Sequence, residues 1–370
     1  MKIAMLGAKA VPAIGGVAHY CEQLGSRLAA RGHEVTVYCR PHYLNGDRRL
    51  YYRGIRRQIC HGVRTKHLDT ITHTLNALLN AVGEGYDILH FHAIGPGALA
   101  PLASLASGAK VVVTSHGLDW QRAKWGPAAK QFLRLANRVS LSAADAVIAV
   151  SQADRLYYRQ TCHRNVHFIP TGMNLEPLRE CCEIRRFGLG PEDYILFLGR
   201  LTPEKGCHYL LSAYLRLATQ KRLVFAGEAR GDDQYAARLR AMADGRVLFT
   251  GMATGRLKEE LLSNAYFLVQ PSEMEGLPIT VLEALSYGRC VVASDIPANA
   301  EALGGCGYRF HSKEVGDLAR VMRLLLARRD LVRAQFERAR GYIERDRSWD
   351  RNADLHEQLY QSVARAGGGN

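Results

Sequence analysis

The sequence predicts an α/β protein made of two doubly wound parallel-sheet domains, and three observations carry that prediction. The chain has 370 residues, and domains commonly run about 100–200 residues, so two is the natural division. Hydrophobic residues make up 47% and charged residues 23%, which is ordinary for a globular chain and excludes disordered, collagenous and fibrous classes. Short Val- and Ile-rich runs without clean alternation recur between amphipathic stretches, the pattern of strands buried on both faces with helices between them.

In the first half the strand-like runs are Lys2–Leu6, Glu34–Cys39, Ile88–His92, Lys110–Ser115, Ala146–Val150 and Val166–Ile169. In the second half they are Tyr194–Leu198, Arg222–Ala226, Val247–Thr250, Ala265–Gln270, Arg289–Ser294 and Tyr308–Phe310. Amphipathic helices are expected over Gly16–Arg31, Cys207–Thr219, Asp233–Asp244 and Gly255–Ser263. Six strands followed by six more put the break near Pro170–Asn174. A Gly-rich tail, Gly367–Gly369, is the one low-complexity feature.

Nine scattered cysteines, an odd number, do not suit a small secreted disulfide scaffold and point to a reducing compartment. The opening apolar stretch Ile3–Leu6 is too short for a signal-peptide core. The weakly apolar run Ile94–Ala106 is broken by Gly95, Pro96, Gly97 and Pro101. A bilayer span needs about 20 apolar residues, so no crossing is expected.

The net charge is +14, and its placement is uneven. Residues 1–170 carry +12 and residues 171–370 carry +2. Arg40, Arg48, Arg49, Arg53, Arg56, Arg57, Arg64 and Lys66 form one basic stretch interrupted by a single acid, Asp47. Such a stretch attracts a polyanion, whether nucleic acid, anionic lipid or pyrophosphate, or else lies as a solvated face.

In open α/β sheets ligands bind beyond the carboxyl ends of the strands, so residues just after each expected strand are the candidates. Walker A, HExxH, GxSxG and CxxC patterns are absent. Gly95-Pro96-Gly97-Ala98-Leu99-Ala100 matches the dinucleotide GxGxxG/A pattern, but Pro96 lies inside the turn and the preceding strand is the third of its sheet. His90 and His92 share a strand face and, with His116, form a conceivable three-histidine metal site. The plainer reading is strand-end histidines bonding substrate or backbone.

The richest stretch runs from Pro271 to Leu285. A strand ends, a Gly-bearing turn holds Glu275 and Gly276, and Pro278 opens a helix carrying Thr280 and Glu283 that Gly288 ends. Free backbone N–H groups at such a helix start suit a phosphate, and the two carboxylates suit sugar hydroxyls. Gly199-Arg200 and Lys205-Gly206 follow the first strand of the second half, where a planar guanidinium and an ammonium flank a tight turn and can hold one diphosphate. Ile14-Gly15-Gly16-Val17 offers a second helix-start anion site. His116 follows the fourth strand and could bond a sugar or turn partial positive charge toward a phosphate.

These residues resemble those of retaining glycosyltransferases of family 4. Glu275 and Glu283 look like that family's E-x7-E signature, Gly199-Arg200 with Lys205-Gly206 like its G-R-x3-5-K-G phosphate motif, and Gly15-Gly16 like its N-terminal glycine loop. His116-Gly117-Leu118-Asp119-Trp120 with Lys124-Trp125-Gly126 is similar to a subgroup that builds exopolysaccharide, capsule and O-antigen. Thr171-Gly172-Met173-Asn174 departs from the family's usual N-G-V-D. The resemblance implies the GT-B fold, two Rossmann-like doubly wound domains facing a central cleft. Residues 1–170 would form an acceptor domain and residues 171–345 a nucleotide-sugar domain, with residues 346–366 a C-terminal helix returning to the first.

The resemblance also implies roles. Arg200 and Lys205 would hold the donor diphosphate, with Gly15, Gly16, Gly199, Gly276, Leu277 and Thr280 around it. Glu275 would bind donor sugar hydroxyls, Glu283 the ribose, Met252 would border the base, and His116 would contact the transferred sugar. No metal or cofactor is expected, because two fixed cations stand where a metal would, and the Asp232-Asp233 pair lies in a helix-entry loop. The expected activity is hexosyl transfer from a nucleotide-diphosphate sugar to a saccharide, carried on a polyprenyl pyrophosphate, at the inner face of the plasma membrane. Alternatives are a sugar-nucleotide epimerase of the same fold and a nucleic-acid-binding protein. The latter leaves Glu275, Glu283 and the near-neutral second half unexplained, and the basic stretch Arg40–Lys66 holds only Tyr43, Tyr51 and Tyr52 to stack on bases.

Overall fold

A computed structural model describes residues 1–12, 15–44, 46–47, 49–65, 68–118, 120, 126–229 and 234–366. Ile14, Arg48, Lys66, Asp119, Lys124, Trp125, Asp232, Asp233 and the Gly-rich tail, all singled out above, lie outside the described residues. The chain divides into two compact units, residues 1–172 with 349–370, and residues 173–348.

The sheet of unit 1 contains β1 (Lys2–Leu6), β2 (Glu34–Cys39), β3 (Tyr51–Tyr52), β4 (Ile55–Ile59), β5 (Ile88–His92), β6 (Lys110–Ser115), β7 (Ala146–Ala149) and β8 (His167–Phe168). Their order is β3-β4-β2-β1-β5-β6-β7-β8, all parallel except β3. Alternate residues of one strand enter different cores. Ile3 and Met5 pack with Val35 and Val37 on one face, while Ala4 and Leu6 pack with Leu89 and Phe91 on the other. A strand whose every side chain is buried reads as a continuous apolar run, as this sequence does.

Unit 2 contains β9 (Tyr194–Leu198), β10 (Arg222–Ala226), β11 (Val247–Gly251), β12 (Phe267–Gln270), β13 (Val291–Ser294) and β14 (Tyr308–Phe310), in the order β11-β10-β9-β12-β13-β14 and parallel throughout. Leu196 and Leu198 face one core and Ile195 and Phe197 the other. Chain connections leave β9 and β12 in opposite directions, so the carboxyl ends of these two neighbours are the switch point where such sheets take ligands.

Every strand expected from the sequence is present within one or two residues, and two more were not foreseen. Tyr51–Tyr52 and Ile55–Ile59 form an antiparallel hairpin whose turn residues, Arg53 and Gly54, have φ of 48° and 79°. Two left-handed residues make the tight hairpin turn that Asn-Gly or Asp-Gly usually announces, and arginine in the first place conceals it. The hairpin lies inside the basic stretch and changes its meaning. Arg57 is buried, with Nη1 3.0 Å from Asp47 Oδ2 and 3.3 Å from the Val11 carbonyl. Arg40 is buried against Asp69 at 2.9 Å. Arg49 pairs with Asp47, Arg53 with Glu22 and Arg56 with Glu84. Much of the apparent polyanion surface is thus internal or locally neutralised.

The helices shorten relative to expectation, to Cys207–Tyr214 and Gln234–Met242, while Gly16–Ala30 and Gly255–Asn264 run nearly as read. Gly97 of the dinucleotide-like pattern serves packing, since a Cβ there would sit 2.7 Å from Ser140 Oγ. Gly172 likewise lies against the Trp349 ring, and Asn352 donates to the Pro170 carbonyl at 2.7 Å, so the helix Trp349–Ala366 is built into unit 1. Beyond Gly172 the Met173 N–H donates to the Arg347 carbonyl at 2.6 Å, a backbone tie within the departing Thr171–Asn174 segment. All nine cysteines are free thiols. Among the described residues no helix is long and apolar enough to cross a membrane.

Candidate active site

In unit 2 the site is assembled by one close approach of backbone. After β9 the chain passes Gly199 and Arg200, makes a single 3-10 turn over Pro203–Lys205, and starts the helix Cys207–Tyr214 from Gly206. Gly206 has φ of +69°, and a Cβ there would strike the Pro271 carbonyl at the end of β12. Only glycine satisfies both demands. The Glu273 N–H then donates to the Glu204 carbonyl at 2.9 Å, locking the two loops together.

This crossing delivers Lys205 to Glu275. Lys205 Nζ lies 2.6 Å from Glu275 Oε1 and 2.8 Å from Oε2, with side chains 18% and 8% exposed. Glu275 Oε1 also accepts from Gln270 Nε2 at 2.6 Å and from the Ser272 hydroxyl at 2.7 Å. Gln270 Nε2 further donates to Ser272 Oγ at 2.8 Å, and Ser294 Oγ, held by Asn299, donates to the Ser272 carbonyl at 2.5 Å. A carboxylate so held is fixed in position before any ligand arrives. Gln270, Ser272 and Asn299 carry no motif of their own and are visible only once the turn folds.

Arg200 is half exposed, and its nearest acid is Glu204 at 3.6 Å. Glu283, on the helix Ile279–Ser286, accepts from Lys258 Nζ at 2.6 Å. Lys258 comes from the helix Gly255–Asn264, and nothing in its sequence spacing marks it. Glu176 lies near Glu283, Glu259, Arg179 and Lys258, and burial lifts its carboxyl above the usual carboxylate range. The helix Ile279–Ser286 has Pro278 at its N-cap and no side-chain cap, and Gly276, Leu277 and Thr280 surround that open start. Met252 is 63% exposed after β11, its N–H 3.3 Å from Glu228 Oε1. Glu228 stands two residues after β10, at a strand end where such sheets take ligands, and belongs to none of the motifs.

In unit 1, Gly15 and Gly16 begin the helix Gly16–Ala30, with open space where a Cβ would project from either. His116 follows β6, where the Tyr20 ring meets it edge-on at 4.8 Å. Its Nε2 is 3.3 Å from His92 Nδ1. His90 bonds the Thr114 hydroxyl at 2.6 Å and the Tyr360 hydroxyl at 2.7 Å. His356 bonds the Asn352 carbonyl and the Tyr20 hydroxyl. Burial holds the imidazoles of His90 and His92 well below their usual range, and that of His356 down to about 4. These histidines therefore bond side chains and each other rather than the backbone alone. Among the described residues no group of three or more His, Cys, Asp or Glu side chains is set to hold a metal ion.

The sequence profile described as Glycosyltransferase Family 4 matches residues 14–177, and that described as Glycosyl transferases group 1 matches residues 192–328. Alpha-maltose-1-phosphate synthase of Mycolicibacterium smegmatis is 30% identical over 329 residues, 80% of this chain and 84% of that protein. Sucrose-phosphate synthase from Thermosynechococcus elongatus superposes with a TM-score of 0.81 at 20% identity, covering 99% of this chain and 100% of the other. Anabaena Alr3699/HepE in complex with UDP gives 0.78 at 18% identity, covering 98% and 100%.

The Gly206 crossing predicts an asymmetry between two glycines of the site. Gly206→Ala should lower unfolding stability in urea by about 1–3 kcal/mol, the cost of a left-handed non-glycine residue with an added clash. Gly276→Ala, with open space and no left-handed φ, should stay within about 0.5 kcal/mol. Equal losses would show that the loops are not held by this contact.

Proposed function

The chain belongs to glycosyltransferase family 4, and from that premise we propose that it is a retaining hexosyltransferase using a nucleotide-diphosphate sugar. The observation that carries the proposal is the Lys205–Glu275 contact at the carboxyl ends of β9 and β12, with Arg200 in the same loop. A cation suited to phosphate and an acid suited to hydroxyls stand side by side, as a sugar diphosphate requires.

In this reading Arg200 and Lys205 bind the diphosphate, and the open start of the helix Ile279–Ser286 adds the N–H groups around Gly276, Leu277 and Thr280. Gly199 lets the phosphates approach the backbone, and Gly15 and Gly16 do the same at the start of their helix. Glu275 accepts from sugar hydroxyls, Glu283 from the ribose, and Met252 borders the base. His116 contacts the transferred sugar. During transfer the bond from C1 to the phosphate oxygen breaks, and its electron pair leaves with the nucleotide. The acceptor oxygen bonds C1 on the same face, and its proton passes to the departing phosphate. The chain supplies position and fixed positive charge where negative charge grows, which needs no reorganisation as the bond breaks.

The acceptor in this proposal is a saccharide on a polyprenyl pyrophosphate, in exopolysaccharide, capsule or O-antigen assembly, reached by a cytoplasmic enzyme peripheral to an anionic membrane. The +12 charge of residues 1–170 supports this, though the ion pairs of Arg40, Arg49, Arg53, Arg56 and Arg57 narrow that support.

Two experiments test the proposal. Transfer from a panel of UDP-, GDP- and dTDP-sugars should survive EDTA, because Arg200 and Lys205 take the part of a metal. Arg200→Ala should lower kcat by about a hundredfold or more, the usual consequence of deleting one preorganised donor at developing charge. Turnover abolished by EDTA and restored by Mg²⁺ would overturn the diphosphate assignment. Flotation with phosphatidylglycerol vesicles should show binding at low salt that fades as salt screens it. No binding at low salt would remove the membrane from the proposal.

A further inference from the structure

His92 sits at the carboxyl end of β5, fully buried, one residue short of the loop that leaves the sheet. The proposal above gives it no role. Its ring lies nearly parallel to that of His116, at 25° and 5.6 Å between centroids, so the two imidazoles meet side by side, Nδ1 to Nε2. We infer that His92 is a positioning residue that donates its Nδ1–H to His116 Nε2 and thereby fixes which nitrogen of His116 carries hydrogen.

The direction of that hydrogen bond follows from what surrounds His92. Its other nitrogen, Nε2, is buried with no hydrogen-bond partner. A neutral imidazole has one N–H. Were the hydrogen on Nε2, the chain would bury an unsatisfied donor, and buried orphan N–H groups are rare and costly. With the hydrogen on Nδ1, Nε2 holds only a lone pair, which tolerates apolar surroundings better. Burial and the neighbouring imidazoles disfavour the cation, which would carry a hydrogen on each nitrogen.

The consequence falls on His116. A nitrogen that accepts has no hydrogen, so the ring hydrogen of His116 is on Nδ1. Any hydrogen bond that His116 donates then comes from Nδ1, and its Nε2 lone pair is occupied by His92 and is not a base for the acceptor. Tyr20 keeps the pair in plane, its ring edge-on to His116 at 4.8 Å and tilted to His92 at 5.8 Å. The Tyr20 hydroxyl is itself held. His356 donates Nδ1–H to the Asn352 carbonyl at 2.8 Å, which leaves His356 Nε2 as the acceptor for Tyr20 at 3.3 Å, and Asn352 Nδ2 donates to Tyr20 at 3.2 Å. Among the described residues, Tyr20, His90 with Thr114 and Tyr360, and His356 with Asn352 lie around the pair, from four elements of unit 1.

The inference rests on the proposed contact of His116 with the transferred sugar, and the tests separate the two. Ring ¹⁵N correlations of the ¹⁵N-histidine-labelled full chain, with His92 and His116 assigned from single variants, should show His116 protonated at Nδ1 and bare at Nε2. A hydrogen on His116 Nε2 would overturn the inference whatever the activity. In kinetics, His92→Asn places an amide N–H near the position of Nδ1 and should retain most turnover. His92→Gln mimics the other nitrogen, and His92→Leu neither, so both should lose about tenfold or more in kcat with donor KM within about threefold. Equal losses in Asn and Leu variants of matched thermal stability would mean a structural role only. If His116→Ala itself retains full activity, the sugar contact fails while the ¹⁵N measurement still reads the hydrogen bond. Should His92→Leu not fold, the wild-type spectrum and the Asn–Gln comparison decide.

Discussion

The Lys205–Glu275 ion pair is the contact on which the rest of unit 2 turns. It exists because Gly206 lets one loop cross under the Pro271 carbonyl, and it holds a nearly buried carboxylate without leaving it starved of donors. Removing a carboxylate from water costs several kcal/mol by itself, and here the ammonium, the Gln270 amide and the Ser272 hydroxyl offset that cost on two oxygens. An incoming diphosphate competes with Glu275 for Lys205, while Gln270 and Ser272 keep Glu275 in place. The pair therefore divides the labour of the donor site before the donor binds.

A parallel arrangement stands in unit 1, with neutral groups in place of charges. His116 is fixed by His92 and Tyr20, and the Tyr20 hydroxyl is held by Asn352 and His356 of the helix Trp349–Ala366, whose Tyr360 bonds the neighbouring His90. In both units a residue expected to meet ligand is exposed enough to do so, and the residues that aim it are buried. That is the usual division between binding groups and the scaffold that orients them.

Much of this was legible in the sequence, and the losses have physical causes. Parallel strands buried on both faces write themselves as runs such as Tyr194–Leu198, and Glu275, Glu283, Arg200 and Lys205 stand out because strand, glycine turn and helix bracket them. The hairpin at Tyr51–Ile59 was hidden because Ile55-Arg56-Arg57-Gln58-Ile59 reads as surface. Arg57 is buried, made tolerable by Asp47 and two carbonyls that no local pattern reveals. The same pairs explain why a count of basic residues overstated the charge offered to an anionic surface. Lys258, Gln270, Glu228 and His356 reach their partners across 25, 5, 24 and 336 residues of chain. All but Gln270 meet partners at separations that single-sequence periodicity does not encode.

The division of labour between Lys205 and Glu275 is tested most directly by calorimetric titration of UDP, GDP and ADP, which carry the diphosphate and lack the sugar. Glu275→Gln keeps the shape of the side chain, removes a negative charge beside the diphosphate and releases Lys205. It should therefore bind its nucleoside diphosphate at least as tightly as the unaltered chain while losing sugar transfer, and Lys205→Met should bind it about tenfold or more weakly, the worth of a hydrogen bond to a charged group. If Glu275→Gln weakens the nucleoside diphosphate as much as Lys205→Met does, the two residues act on the same part of the donor and the account is wrong.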